Sequence, residues 1–243
     1  FKQKTAYEIM PSLVGSEMCI RDRPYTSIVS AKSVEDVVPL LAGTPYAKAV
    51  ANSLEAYREK GTLFPIEISL EQGFYRRLLE CVSRLSGNDR KIASKLVGLE
   101  IDVRNLSLLV RLKFYYSVPA GDLWNYTIPG GVRIKREKLK KAMLTESMDE
   151  FLGATLEKSF SFSAELLKGG EELGKLYLLE VILWNHLVLE ARKALGGFPF
   201  TIGTVISYLI LKRNEIRNLI TLLNAKILRL DKEGMEDHLR GLF

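Results

Sequence analysis

The chain has 243 residues, 47% of them hydrophobic and 26% charged, a balance that excludes intrinsic disorder and places it among globular sequences. Lys and Arg number 35 against 29 Asp and Glu, a net charge of +6 that admits an acidic protein, a nucleic acid or an anionic membrane surface as partner. Only two cysteines, Cys19 and Cys81, are present, which excludes a disulfide framework and a cysteine-zinc site and favours a reducing compartment.

In chain order, residues 11–23 have neither a helical nor a strand period. They read like translated sequencing-adapter text and carry no functional argument. From residue 33 the pattern is helical, with Ser33 as N-cap and Glu35 and Asp36 in the first turn. Leu99, Val103, Leu106, Val110 and Phe114 recur at steps of four and three and predict an amphipathic helix with one buried stripe. Ile216, Leu219, Ile220, Leu223, Ile227 and Leu230 predict a second. Gly-Gly pairs at 130–131, 169–170 and 196–197, with Pro45, Pro65, Pro119, Pro129 and Pro199, punctuate the helices. The most apolar run, Leu176 to Leu189, is interrupted by Glu180, Asn185 and His186, short of the roughly 18 apolar residues of a membrane span. No period-2 alternation is long enough for a sheet, so the expected fold is all-α.

The chain also aligns with itself. Residues 61–121 match 174–234 without a gap, with identities at Gly61/Gly174, Glu67/Glu180, Ser94/Ser207, Arg104/Arg217, Asn105/Asn218 and Lys113/Lys226, among others. Twelve positions are identical, where composition alone gives roughly four. A weaker likeness of Ser33–Val38 to Ser147–Leu152 suggests a third, incomplete copy at the start, and Phe1 in place of Met fits a missing beginning. The expected organisation is a remnant of a first helical unit at 1–60, a second unit at 61–173 and a third at 174–243. Repeats of this kind build surfaces.

The polar residues kept in both copies are the candidate signature: Asp102, Asn105 and Lys113, with Glu215, Asn218 and Lys226. At about 100° per residue, Asp102 and Lys113 border the buried stripe with Asn105 a little further round, which suits helix-to-helix hydrogen bonding by the acid and the Asn. Arg104 and Arg217 fall on the opposite face of their helices and serve a neighbouring helix, a partner or solvent. The basic run Arg133, Lys135, Arg136, Lys138, Lys140 and Lys141 suits a solvated face, an acidic partner or lipid headgroups. Without interleaved aromatics or a recognition motif, it does not favour nucleic acid. No phosphate-binding glycine loop is present, and His186 and His238 lack metal-ligand spacing; His186 reads as a satisfied core histidine. No catalytic residue, cofactor site or metal site is predicted, and the chain is not expected to be an enzyme.

The segments Glu100-Ile101-Asp102-Val103-Arg104-Asn105-Leu106 and Asn214-Glu215-Ile216-Arg217-Asn218-Leu219, with Ile128-Pro129-Gly130-Gly131 and Leu41-Ala42-Gly43-Thr44-Pro45-Tyr46, resemble the C subunit of the A/V-type ATP synthases. That family is the archaeal-type counterpart of the d subunit of the eukaryotic V-ATPase, and the resemblance runs from about residue 25 onward. It implies three helical units in a pseudo-threefold, funnel-like arrangement, the first incomplete here. It also implies a non-catalytic rotor adaptor between the D and F subunits of the central stalk and the membrane rotor ring, peripheral to the membrane on its cytoplasmic face. A helical-repeat scaffold binding protein or nucleic acid is the alternative, and steeply salt-dependent oligonucleotide binding would mark it.

Overall fold

The computed structural model describes residues 25–156, 160, 172–227 and 229. Among them the regular structure is helical, with no strand, as the periodicity predicts. The chain divides into two compact units, residues 1–73 and 74–243, the division falling within one helix.

In the first unit α1 spans Tyr25–Val29, α2 Val34–Leu40 and α3 Ala47–Lys60, and α4 (Phe64–Ser83) begins. The predicted cap at Ser33 is a full capping box. The Asp36 N–H donates to the Ser33 hydroxyl at 3.2 Å, and the Ser33 N–H donates to the Asp36 carboxylate at 3.1 Å. α3 stops at Gly61, whose φ of 64° is the left-handed conformation that glycine enters without a Cβ penalty. Pro65 lies in the first turn of α4, where its missing N–H leaves no bond unmade.

The second unit takes in the rest of α4, then α5 (Gly87–Val110), which runs into a π-helical turn at Arg111–Tyr115. It continues with the short α6 (Ala120–Leu123), a 3-10 turn at Trp124–Tyr126, α7 (Arg136–Met143), α8 (Met148–Leu156), α9 (Glu172–Leu195) and α10 (Ile202–Ile227). α5, α9 and α10 pack on one another. Ion pairs between Lys95 and Glu190 and between Arg111 and Glu180 set α9 antiparallel to α5. Bonds from the Ile202 N–H to Asp89 and from Arg213 to Glu100, both at 2.8 Å, set α10 parallel to α5. Each of these last two bonds joins residues 113 apart, the spacing of the sequence self-match.

The stripe expected on α5 is buried: Leu99, Val103, Leu106 and Val110 are 5% exposed or less, and Leu96, Val97, Ile101 and Leu109 extend the burial beyond it. The stripe expected on α10 is not buried. Ile216, Leu219, Ile220, Leu223 and Ile227 are 50–76% exposed, while the buried face is Gly203, Ser207, Ile210, Asn214 and Ala225. The small residues let α10 approach closely; a Cβ on Gly203 would stand 2.6 Å from Ile92 Cγ2. Leu230 lies outside the described residues, as do His238, Gly169-Gly170 and residues 11–23.

Candidate functional site: a loop clamp and an arginine network

Asp102 and Asn105 do not bond helix to helix; they hold a loop. The Asp102 carboxylate accepts the backbone N–H of Val132 at 2.9 Å and of Arg133 at 2.6 Å. The Asn105 amide grips the Ile128 peptide with both atoms, donating to its carbonyl and accepting from its N–H at 2.8 Å each. Ile128 packs with Val97 and Ile101 of α5, and glycines stand where the loop and the helix come closest. A Cβ on Gly131 would lie 2.1 Å from the Asp102 carboxylate, and one on Gly98 would lie 2.3 Å from Val132. Gly130 adopts a φ of 105°, outside the range open to most residues. Burial pushes the Asp102 carboxyl up to about 6, against the opposing pull of the backbone N–H groups of Arg133, Val132 and Ile134. Beside the clamp lies a cavity of about 400 Å³, walled by Asn105, Trp124, Ile128, Gly131 and Arg136.

Lys113 sits in the π-helical turn and donates to the carbonyl of Met143, the last residue of α7; desolvation lowers its pKa. The corresponding polar residues of α10 have different surroundings among the described residues. Glu215 is exposed and pairs with Lys212 at 2.8 Å, and the buried Asn218 Oδ1 has no hydrogen-bond partner among the described residues. Lys226 is exposed in the last turn.

The basic run is divided by the fold. Arg136 and Lys140 stack on the Trp124 ring at 4.5 and 4.9 Å. Lys138 reaches the Thr155 carbonyl at 3.3 Å near the end of α8, where a cation offsets the helix dipole. Arg133 and Lys135 are exposed. Trp124 is the aromatic that sequence reasoning did not place among these cations.

Arg104 and Arg217 meet in a second site, where α4, α5, α9 and α10 converge. Glu100, buried on α5, accepts from the Tyr75 hydroxyl at 2.7 Å and from Arg213 at 2.8 Å, with Arg104 Nε at 3.6 Å. Arg104 lies over the Tyr75 ring at 5.5 Å. Arg213 and Arg217 both lie over Trp184, at 5.3 and 4.7 Å, and the indole N–H donates to Asn214 at 2.8 Å. Arg111 pairs with Glu180 beside them. Desolvation, and the like charges of Arg213, Arg104 and Arg111 against the pull of Glu180, lower the Arg217 pKa. Tyr75 is pushed up, first by burial and then by Glu100. The residues not foreseen here are Tyr75, Glu100, Arg111, Trp184 and Arg213. The visible clue was the opposite charge of Glu100 and Arg213 at corresponding repeat positions.

His186 packs edge-on against Phe160 at 5.3 Å as a core histidine does, but it is not satisfied: Nε2 is buried with no hydrogen-bond partner among the described residues. Burial, helped by the charge of Arg133, lowers its pKa and keeps the ring neutral. Among the described residues no group of three or more His, Cys, Asp or Glu is arranged to hold a metal ion, and no helix is long and apolar enough to cross a membrane.

Among the described residues the chain is helical, and these polar residues staple loops and helices to one another. The sequence profile of the ATP synthase (C/AC39) subunit family matches residues 2–238, and the chain belongs to that family. Its relatives include the A-type ATP synthase C subunit of Methanothermobacter thermautotrophicus, 29% identical over 82% of this chain and 52% of the relative. That of Haloferax volcanii is 28% identical over 90% and 61%, and that of Methanococcoides burtonii 29% over 88% and 57%. The chain therefore spans little more than half the length of these curated relatives. No solved structure matches.

Proposed function

We propose that the chain serves in a rotary A-type ATP synthase as a non-catalytic adaptor, coupling the D–F central stalk to the membrane ion-translocating ring. The observation that carries this reading is the family match over residues 2–238. Three features support it. The described polar clusters are bonded into packing, the long helices α5, α9 and α10 are cross-tied by ion pairs as a torque-bearing part requires, and a charged surface stands at their junction. The two bonds between residues 113 apart fit a repeated unit, with corresponding residues meeting near a common axis. In this reading the chain is peripheral, held at the membrane's cytoplasmic face by its complex. The funnel of three units, with 61–173 and 174–243 as the second and third, is part of the proposal, and so are Arg133, Lys135, Arg136 and Lys138 as a ring-facing or headgroup-facing patch.

The test is co-purification of the chain with the D–F stalk and, separately, with the detergent-solubilised ring of its own complex. Capture of both at moderate salt supports the adaptor. Binding to neither by a chain shown to be folded rejects it. Reversal of the exposed Arg133 and Lys135 to Glu weakens ring binding at unchanged melting temperature; unchanged binding discards the patch.

A further inference from the structure

The arginine network gathers four cations, Arg104, Arg111, Arg213 and Arg217, around two carboxylates, Glu100 and Glu180. The Arg104, Arg111 and Arg213 side chains keep 41%, 49% and 44% of their surface exposed, so they present their charge outward while ring stacking and ion pairs hold them in place.

Beside them runs a face of α10 that is exposed among the described residues. At about 100° per residue, Leu209, Ile216, Ile220, Leu223 and Ile227 share one stripe, and Arg213 and Arg217 run along one edge of it. Each of these five apolar residues is at least half exposed. A continuous apolar stripe bordered by fixed cations selects its occupant. A nucleic acid or a free phosphate would satisfy the arginines and leave the stripe wet. A neutral apolar helix would cover the stripe and strand the charge. A helix with apolar residues at heptad-like spacing and a row of Asp or Glu on one flank satisfies both.

We propose that this surface, the stripe of α10 with Arg104, Arg111, Arg213 and Arg217 at its edge, is the docking site for an acidic amphipathic helix of another protein of the complex; this rests on the adaptor reading. The interface pairs the incoming carboxylates with Arg213 and Arg217 and buries Ile216, Ile220 and Leu223 against the apolar side of that helix.

The experiment measures binding of the wild-type chain, Arg217→Glu and Ile220→Lys to the D–F stalk and to the solubilised ring, with folding of each variant verified by circular dichroism. A photoreactive residue at Leu223 maps the contact. The expected result is that each variant weakens binding to one partner by ~tenfold or more while binding to the other holds. The cross-link then falls in an acidic helical segment of the affected partner. Two variants that bind both partners as the wild type does overturn the inference and leave the adaptor reading standing. A dimer of the chain, seen by sedimentation and dissolved by Ile220→Lys, overturns it by assigning the stripe to a second copy. Wild-type binding to neither partner removes the adaptor reading and this inference together.

Discussion

At Asp102 two forces oppose each other, and pH separates them. Burial favours the protonated carboxyl, and the backbone N–H groups of Val132 and Arg133 favour the carboxylate; burial prevails, with a folded-state pKa of about 6 against 3.8 unfolded. The folded state therefore binds the proton more tightly. Asp102 contributes most to stability at low pH, and that contribution is lost as pH rises from about 4 through 6, on the order of 3 kcal/mol. Asp102→Asn lacks this titration, so the wild type gains on the variant as pH falls across that window; urea melts at pH 4, 5, 6 and 7 measure the difference. Asn105 has no such ambiguity. Its amide makes two bonds to one buried peptide, and Asn105→Leu leaves the Ile128 N–H and carbonyl without partners. The expected loss is about 3 kcal/mol, read as a lower urea midpoint with little change in slope.

At the scale of the element, one helix begins on another. The first N–H of α10, at Ile202, has no partner within its own helix and bonds instead to Asp89, in the first turn of α5. The carboxylate thus caps a helix 113 residues away and faces its positive end. Asp89→Ala is expected to cost about 1 kcal/mol and to raise hydrogen exchange in the first turn of α10 more than elsewhere. An exchange pattern unchanged at Ile202–Val205 would show the cap to be without effect. The π-helical turn after α5 has a comparable role: it brings Lys113 to the carbonyl end of α7, where a cation is favoured.

At the scale of the second unit, α5 is held to α9 by an ion pair that acid must break. Glu190 is 5% exposed; burial alone would raise its pKa, but hydrogen bonds and charge from Lys95 and Lys193 outweigh this and bring it to about 2. A depressed acid of this kind contributes stability that is present above its unfolded pKa near 4.5 and lost as pH falls towards 2. Thermal melts from pH 5 to 2 should show the wild type losing stability more steeply than Glu190→Gln. Parallel curves would assign acid unfolding to other carboxylates.

The sequence by itself determined the helical class and the Ser33 cap, and it drew attention to Asp102, Asn105, Arg104 and Arg217. These rest on local rules: period, capping chemistry and matched positions along one chain. Only the tertiary structure decided what those residues touch. A helical wheel knows one axis, so it cannot report that α9 and α10 cover the far side of α5. Nor can it report that α10 turns small residues inward and leaves its Ile and Leu stripe in water. Asp102 and Asn105 were placed at the edge of a core, but their partner is a loop more than twenty residues downstream, admitted by the missing side chains of Gly98 and Gly131. The arginine network drew residues from four helices into one cluster. Bonds between distant residues depend on how helices pack, and packing is a property of the assembled surfaces, which no single helix carries in its own pattern.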